Sequence, residues 1–418
     1  MKTLRYLLVL AMVVSLGLTS CEKDNPTEPE ETFDKFSIET VMSLPTAADA
    51  NPEIIRMVPG SDNTAVFVAS GTNQLFTITY DATSFTINSP VNLAPGSATA
   101  EMTSIDVSPV IGGENYVAVL VAEVDCSKGW VLLVKLSDGS IAKKVEGIGY
   151  NPDGCAFTKD GSYLIVACED DREDRSCKPD DRFGGSVSII DLTNGIANAT
   201  LAQDYKVDYD VDSEPEHAET NANGDVVVSV QETSDILIFN VADLPLEAGD
   251  VTKVHIAADA GGIEAEPDGL FISPDGTTAL ISNERNGSFV MLDIASGSAL
   301  GDIYIVENDL PDGWQRDARK ATKRTEPEEC ALVEKDGKLY AILALQESQA
   351  VIVYDVTDPA NPVFDSIAKA GVDPSLDSEM VKSEIGSEGL GAHPTNGIVF
   401  SANERESSVT MYKAQWAQ

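Results

Sequence analysis

Short apolar runs of five to eight residues recur along the chain, most broken by a turn pair, and all but one unit is marked at its start by an acidic residue. The clearest unit is Glu266-Pro267-Asp268-Gly269, a run through Ile272, the turn Pro274-Asp275-Gly276, a second run from Thr278 to Asn283 that meets Glu284, and a third from Ser288 to Asp293. Equivalent units begin at Glu53, Thr103, Asp153, Glu216, Asp268, Glu328 and Glu388. Two residues past each start stand Ile55, Ile105, Cys155, Ala218, Leu270, Cys330 and Leu390, and two further on Met57, Val107, Phe157, Thr220, Ile272, Leu332 and Ala392. That period of two is the signature of a strand with one buried face. Asp160-Gly161, Asn223-Gly224, Asp275-Gly276, Asp336-Gly337 and Asn396-Gly397 fall between the first and second runs, where such pairs close tight hairpins. A repeat of this size predicts an all-β, seven-bladed propeller. The last unit leaves no room for a fourth strand, whereas Phe36–Leu44 has no hairpin partner. The expectation is that the N-terminal strand completes the seventh blade and closes the ring without a full-length exposed edge.

Lys2 and Arg5, the apolar stretch from Tyr6 to Leu18 and the sequence Leu18-Thr19-Ser20-Cys21 read as a secretory signal ending in a lipobox. This resembles bacterial lipoproteins, which implies lipidation at Cys21, anchorage in the outer membrane and display at the cell surface. The alternative is an ordinary signal peptide with a chance cysteine. The predicted organisation is a signal peptide over 1–20, a disordered acidic tether over 21–33 and the propeller over 34–418. The formal charge is −41, which excludes nucleic acid and docking on anionic lipid, favours cations, and is consistent with a monomer. Among the cysteines, Cys155 and Cys330 sit at buried repeat positions, and two disulfides compete for Cys177, one with Cys126 and one with Cys168.

Carboxylates also close the second strands, at Glu123, Glu169, Glu232, Glu284, Glu347 and Glu404. A hairpin brings its two outer ends together, so each opening acid is expected beside a closing one, all round one mouth of the channel. Two carboxylates about 6 Å apart at an effective dielectric of about 20 repel by about 3 kcal/mol. Bare neighbours are therefore unfavourable, and a cation, protonation or local donors such as Arg285, Arg405, His217 and His393 must offset the repulsion. Two readings follow. In one, the acids lock neighbouring blades; in the other, Glu216, Asp268, Glu328 and Glu388 with Glu232, Glu284 or Glu404 bind calcium or magnesium, which suit oxygen-only ligands. His217 and His393 are expected to line that mouth. Two insertions stand apart: an acidic loop, Asp170–Gly184, and Gly301–Thr325, where Arg316, Arg319, Lys320, Lys323 and Arg324 share one face if helical, so that Lys323 and Arg324 would neutralise part of the ring. No Gly-x-Ser-x-Gly elbow occurs, and no catalytic set is assigned.

Asn151-Pro152-Asp153-Gly154, Lys159-Asp160-Gly161, the strands Leu164–Ala167 and Gly185–Asp191, the repeated Glu-Pro-Glu or Glu-Pro-Asp-Gly and the Asn-Glu-Arg before a third strand resemble choice-of-anchor I domain proteins and the broader group with Tyr-Val-Thr-Asn (YVTN) propeller repeats. The resemblance implies an exported bacterial propeller. Related propellers include lactone hydrolases and calcium-dependent phytases, so two classes of function are expected: a surface recognition protein for a glycan, peptide, small molecule or partner protein, or a metal-dependent hydrolase of phosphoesters or lactones. His217 and Glu329 replace the glycine that other units carry after the acid, which breaks the uniformity of the ring.

Overall fold

The computed structural model describes residues 35–93, 100–123, 127–169, 184–207, 213–312, 314, 324–371 and 386–417. Cys21 and the tether, Cys126, Cys177, the acidic loop 170–183 and the basic run 315–323 lie outside the described residues.

Seven antiparallel sheets follow one another in chain order, each with four tiers of strand. In the third blade, Pro152–Phe157, Tyr163–Cys168, Ser186–Asp191 and Thr200–Lys206 pair in sequence from first to last. The first and fifth blades split their outer tier into two short pieces. The period-two runs become these strands because one face of each sheet packs on the next sheet. Seven clusters of buried side chains result, one in each gap between neighbouring blades. Each fully buried Val, Leu, Ile or Phe in them contributes about 1.5–3 kcal/mol relative to exposure.

Closure is as the pattern predicts. Glu39–Pro45 pairs antiparallel with Ser408–Lys413, the third strand of the seventh blade. The residues just before it tie this strand to the sixth blade. The amides of Phe36 and Ser37 donate to the carboxylate of Asp365 at 3.0 and 2.7 Å, and the amide of Ile38 donates to Ser366 Oγ at 2.8 Å. Phe36 is fully buried and meets Tyr340 and Trp416 edge-on, at centroid distances of 5.5 and 5.7 Å. Cys155, Cys168 and Cys330 are buried free thiols; Cys177, the partner in both competing disulfides, lies outside the described residues. Cys168 points into the gap between the second and third blades.

Replacing Phe36 by Ala should cost about 3–5 kcal/mol, the usual range for truncating a buried aromatic, because the seam loses its anchor. Urea unfolding of the variant against the parent protein measures this, and a loss under 1 kcal/mol would show that the seam holds without it.

Candidate functional site

A bulge opens the first strand of every blade. Pairing skips a residue between Pro52 and Ile55, Met102 and Ile105, Pro152 and Gly154, Pro215 and Ala218, Pro267 and Leu270, Pro327 and Cys330, and Ser387 and Leu390. Proline is tolerated here because the start of a strand needs no donor. In five blades the residue before the strand, Asn51, Asn151, Glu266, Glu326 or Gly386, is left-handed. Its carbonyl accepts the amide of the residue that follows the second strand: Ser70, Glu169, Glu284, Gln346 and Glu404 respectively. Bulge and turn together aim two consecutive residues of the first strand inward.

The outcome is a cavity of about 230 Å³ at one end of the channel, lined by Asp153, Glu169, Glu216, Asp268, Glu284, Glu328 and Glu388 with His217, Gln231 and Glu329. Five of the seven carboxylates expected to bind metal, Glu216, Asp268, Glu284, Glu328 and Glu388, lie here. Glu404 is hydrogen-bonded to Glu388, Glu53 raises Glu388, and Glu53 is itself raised by burial and then by Glu404. Glu232 does not line the cavity. The residue that follows the second strand of the fourth blade is Gln231, whose amide bonds Glu214 O and whose Nε2 donates to Glu284 Oε2 at 2.9 Å. Glu232, one residue later in the turn, is exposed. The sixth blade repeats this shift: Gln346 holds the position and the buried Glu347 pairs with Arg405 at 3.0 Å. Both glutamines escaped sequence reading because the spacing of acids was matched instead of the strand ends.

Other expected neighbours also lie elsewhere. Arg285 pairs with Glu266, and Arg324 donates to Asp259 at 2.6 Å instead of reaching the ring. His217 lines the acidic cavity, but His393 lies at the opposite end of the channel, its Nε2 3.2 Å from Ser61 O. The glycines that follow the acids have a packing role. A methyl group on Gly154, Gly269 or Gly389 would fall 2.1, 2.2 or 2.1 Å from the carbonyl oxygen of Glu216, Glu328 or Glu53 of the next blade. Each glycine thus makes room for a neighbour that bears a side chain: His217, Glu329 and Ile54.

Burial and mutual repulsion hold the ring's protons. Glu53, Glu216, Asp268 and Glu388 all lie well above the ordinary carboxyl range, first because they are desolvated. Adjacent carboxylates raise them further: Glu169 beside Glu216, Glu328 beside Asp268, and Glu53 and Glu404 beside Glu388. Hydrogen bonds between carboxyl groups, Glu216 to Glu169, Asp268 to Glu328 and Glu388 to Glu404, require one proton per pair. Two carboxyl trios, Asp153 with Glu169 and Glu216, and Glu284 with Glu326 and Glu328, have oxygens within 4.8 Å of one another.

Below the ring, Arg56 Nη1 of the first blade reaches Glu329 Oε2 of the sixth at 2.7 Å and donates to Leu390 O of the seventh at 3.3 Å. Removing one partner of such a buried pair strands the other charge.

Seven-bladed propellers as a class share this arrangement of sheets round an axis. Among solved structures, the chain is similar to hydrazine synthase from Kuenenia stuttgartiensis, with a TM-score of 0.60 and 13% identity over 89% of this chain and 98% of that one. It is also similar to a catalytically inactive virginiamycin B lyase from Staphylococcus aureus with quinupristin, with a TM-score of 0.57 and 12% identity over 89% and 98% of the two chains. At such identities the likeness is one of fold. No curated protein matches the chain. The family model of the choice-of-anchor I domain matches residues 53–304, and the chain belongs to that family. Among the described residues, no helix is long and apolar enough to cross a membrane.

The raised carboxyls make a signed prediction. A folded-state pKa above the unfolded one means that the folded chain binds more protons between the two, so stability falls as pH rises through that window. Asp106, raised to about 6 by burial and by Glu219, acts in the same sense. Glu266, raised first by burial, acts likewise; His217 and His393, both lowered by burial, act oppositely below about pH 6.5, two groups against six. In chelator, the melting temperature should therefore rise as pH is lowered from about 8 to about 5, measured by scanning calorimetry. A steady fall over that interval would contradict the raised values.

Proposed function

We propose that the chain is an exported, lipid-anchored propeller that acts at the cell surface as a binding protein, with a divalent cation at its acidic mouth. The two carboxyl trios carry the cation reading. Oxygens on one calcium ion lie about 2.3–2.6 Å from it, hence at most about 5 Å apart, and trios within 4.8 Å meet that limit as they stand. Magnesium demands near-ideal octahedral geometry and keeps several waters, whereas calcium accepts flexible sets of carboxylates, so calcium is the better fit. The donor set is all oxygen, and a bound dication would release the shared protons and offset the repulsion. Asp153, Glu169 and Glu216 would hold it on one side of the mouth, Glu284, Glu326 and Glu328 on the other.

Binding is favoured over hydrolysis of a phosphoester because an acidic ring repels phosphate. The ligand for which the mouth or rim is built would be a glycan, a peptide or a partner protein. Membrane association follows from the lipobox at Cys21.

Calcium in chelator-treated protein should raise the melting temperature, in proportion to about 2.7 kcal/mol at a hundredfold excess over Kd. Glu216→Gln and Glu328→Gln should each reduce the rise, and whichever abolishes it marks the occupied trio. The absence of any shift in millimolar calcium would refute the cation. Cys21→Ala should move the protein from the membrane fraction to the soluble periplasmic fraction, and retention in the membrane fraction would refute the lipid anchor.

A further inference from the structure

At the turn end of the inner strands the channel widens into a second cavity, of about 690 Å³. That volume lies within the range of about 300–1,000 Å³ usual for small-molecule sites. It shares only Glu329 with the lining of the acidic cavity, so it is a separate compartment of the channel. Its walls are apolar, with Met57, Val107, Phe157, Phe271, Leu332 and Leu390 contributed by six different blades. The exposed Asp62 and Asp275 stand at its rim, and its inner charged groups are five: Arg56, Asp106, Lys159, Glu219 and Glu329.

Four of these five charges are paired. Arg56 meets Glu329 at 2.7 Å, and Lys159 meets Glu219 at 3.4 Å. Asp106 makes no ion pair among the described residues; its Oδ2 accepts the amide of Phe157 at 2.8 Å. Inside the rim the cavity therefore holds one carboxylate in excess within apolar walls, an arrangement complementary to a positive charge on an apolar body. The field of a chain with net charge −41 adds to the preference by concentrating cations at its surface.

We propose that this cavity binds a compact amphipathic amine, its ammonium group paired with Asp106 and its apolar body packed against Met57, Phe157 and Phe271. The site is independent of any cation at the opposite mouth, and its success or failure leaves that reading untouched. Burial and the nearby Glu219 raise the Asp106 carboxyl to about 6, so it is ionised at neutral pH at a desolvation cost that an ammonium group would relieve.

Isothermal titration calorimetry of the full chain at neutral pH with 4-phenylbutylamine, 4-phenylbutyrate and n-butylamine tests this. The expected result is binding of phenylbutylamine alone, because butyrate repeats the sign of Asp106 and butylamine lacks the apolar body. Asp106→Asn, which keeps an acceptor for the Phe157 amide, should weaken phenylbutylamine by at least about tenfold. Ala222→Trp, at an exposed position on the rim, should do the same by narrowing the entrance, without touching a buried group. Equal binding of phenylbutyrate, no binding of phenylbutylamine, or affinity that survives both variants would each overturn the proposal, the last by placing the amine elsewhere, such as at the acidic mouth.

Discussion

Six inner strands deliver carboxyl groups to one end of a narrow channel, and the cost of desolvating like charges side by side governs what surrounds them. The bulges bring those groups inward, so the structure offsets the charge locally. Carboxyl pairs share protons, Gln231 gives Glu284 a neutral donor, and the amides of the residues that follow the second strands are satisfied by left-handed carbonyls instead of competing for the acids. Remove the bulges and the period-two alternation would turn alternate acids back toward the sheets, where nothing receives them. The same backbone feature that makes the mouth acidic thus makes it crowded enough for protons or a dication to be needed.

The two ends of the channel differ because they are built from opposite ends of the same strands. Where a strand starts, Pro and an acid recur, and polar groups dominate. Where it ends, Met57, Val107, Phe157, Ile272 and Leu332 take over. The ion pair of Arg56 with Glu329 reaches from the first blade to the sixth between these regimes, and its geometry depends on Glu329 occupying a place that other blades give to glycine.

Much of this was legible in the chain because propeller blades obey short-range rules. Turn pairs of Asp-Gly and Asn-Gly fix the hairpins, alternation fixes the faces, and an unpartnered strand at Phe36 with an incomplete last unit fixes the closure. The acids that open the strands were legible for the same reason. What escaped lay where the count of residues slips. A turn that places Gln231 at the end of its strand leaves Glu232 in solvent, although spacing from Glu216 matched the other blades. His393 looked equivalent to His217 because both follow an acid in a first strand, yet the four residues between Glu388 and His393 run the length of that strand to the other mouth. The larger cavity has no motif at all: six strands each contribute one to three apolar residues, and only closing the ring brings them together.

Glycine and bulky residues take turns round the inner circle, Gly154 before His217, Gly269 before Glu329, Gly389 before Ile54. A two-letter alternation cannot close on a cycle with an odd number of members, so one of seven positions must be out of step. The mismatch falls at the second blade, where Thr103-Ser104 stands in place of an acid and its glycine, and Thr103 Oγ1 reaches across to Pro152 O at 2.5 Å. Parity alone therefore puts one position of the circle out of step, and there the second blade offers a hydroxyl where the other six first strands offer a carboxyl.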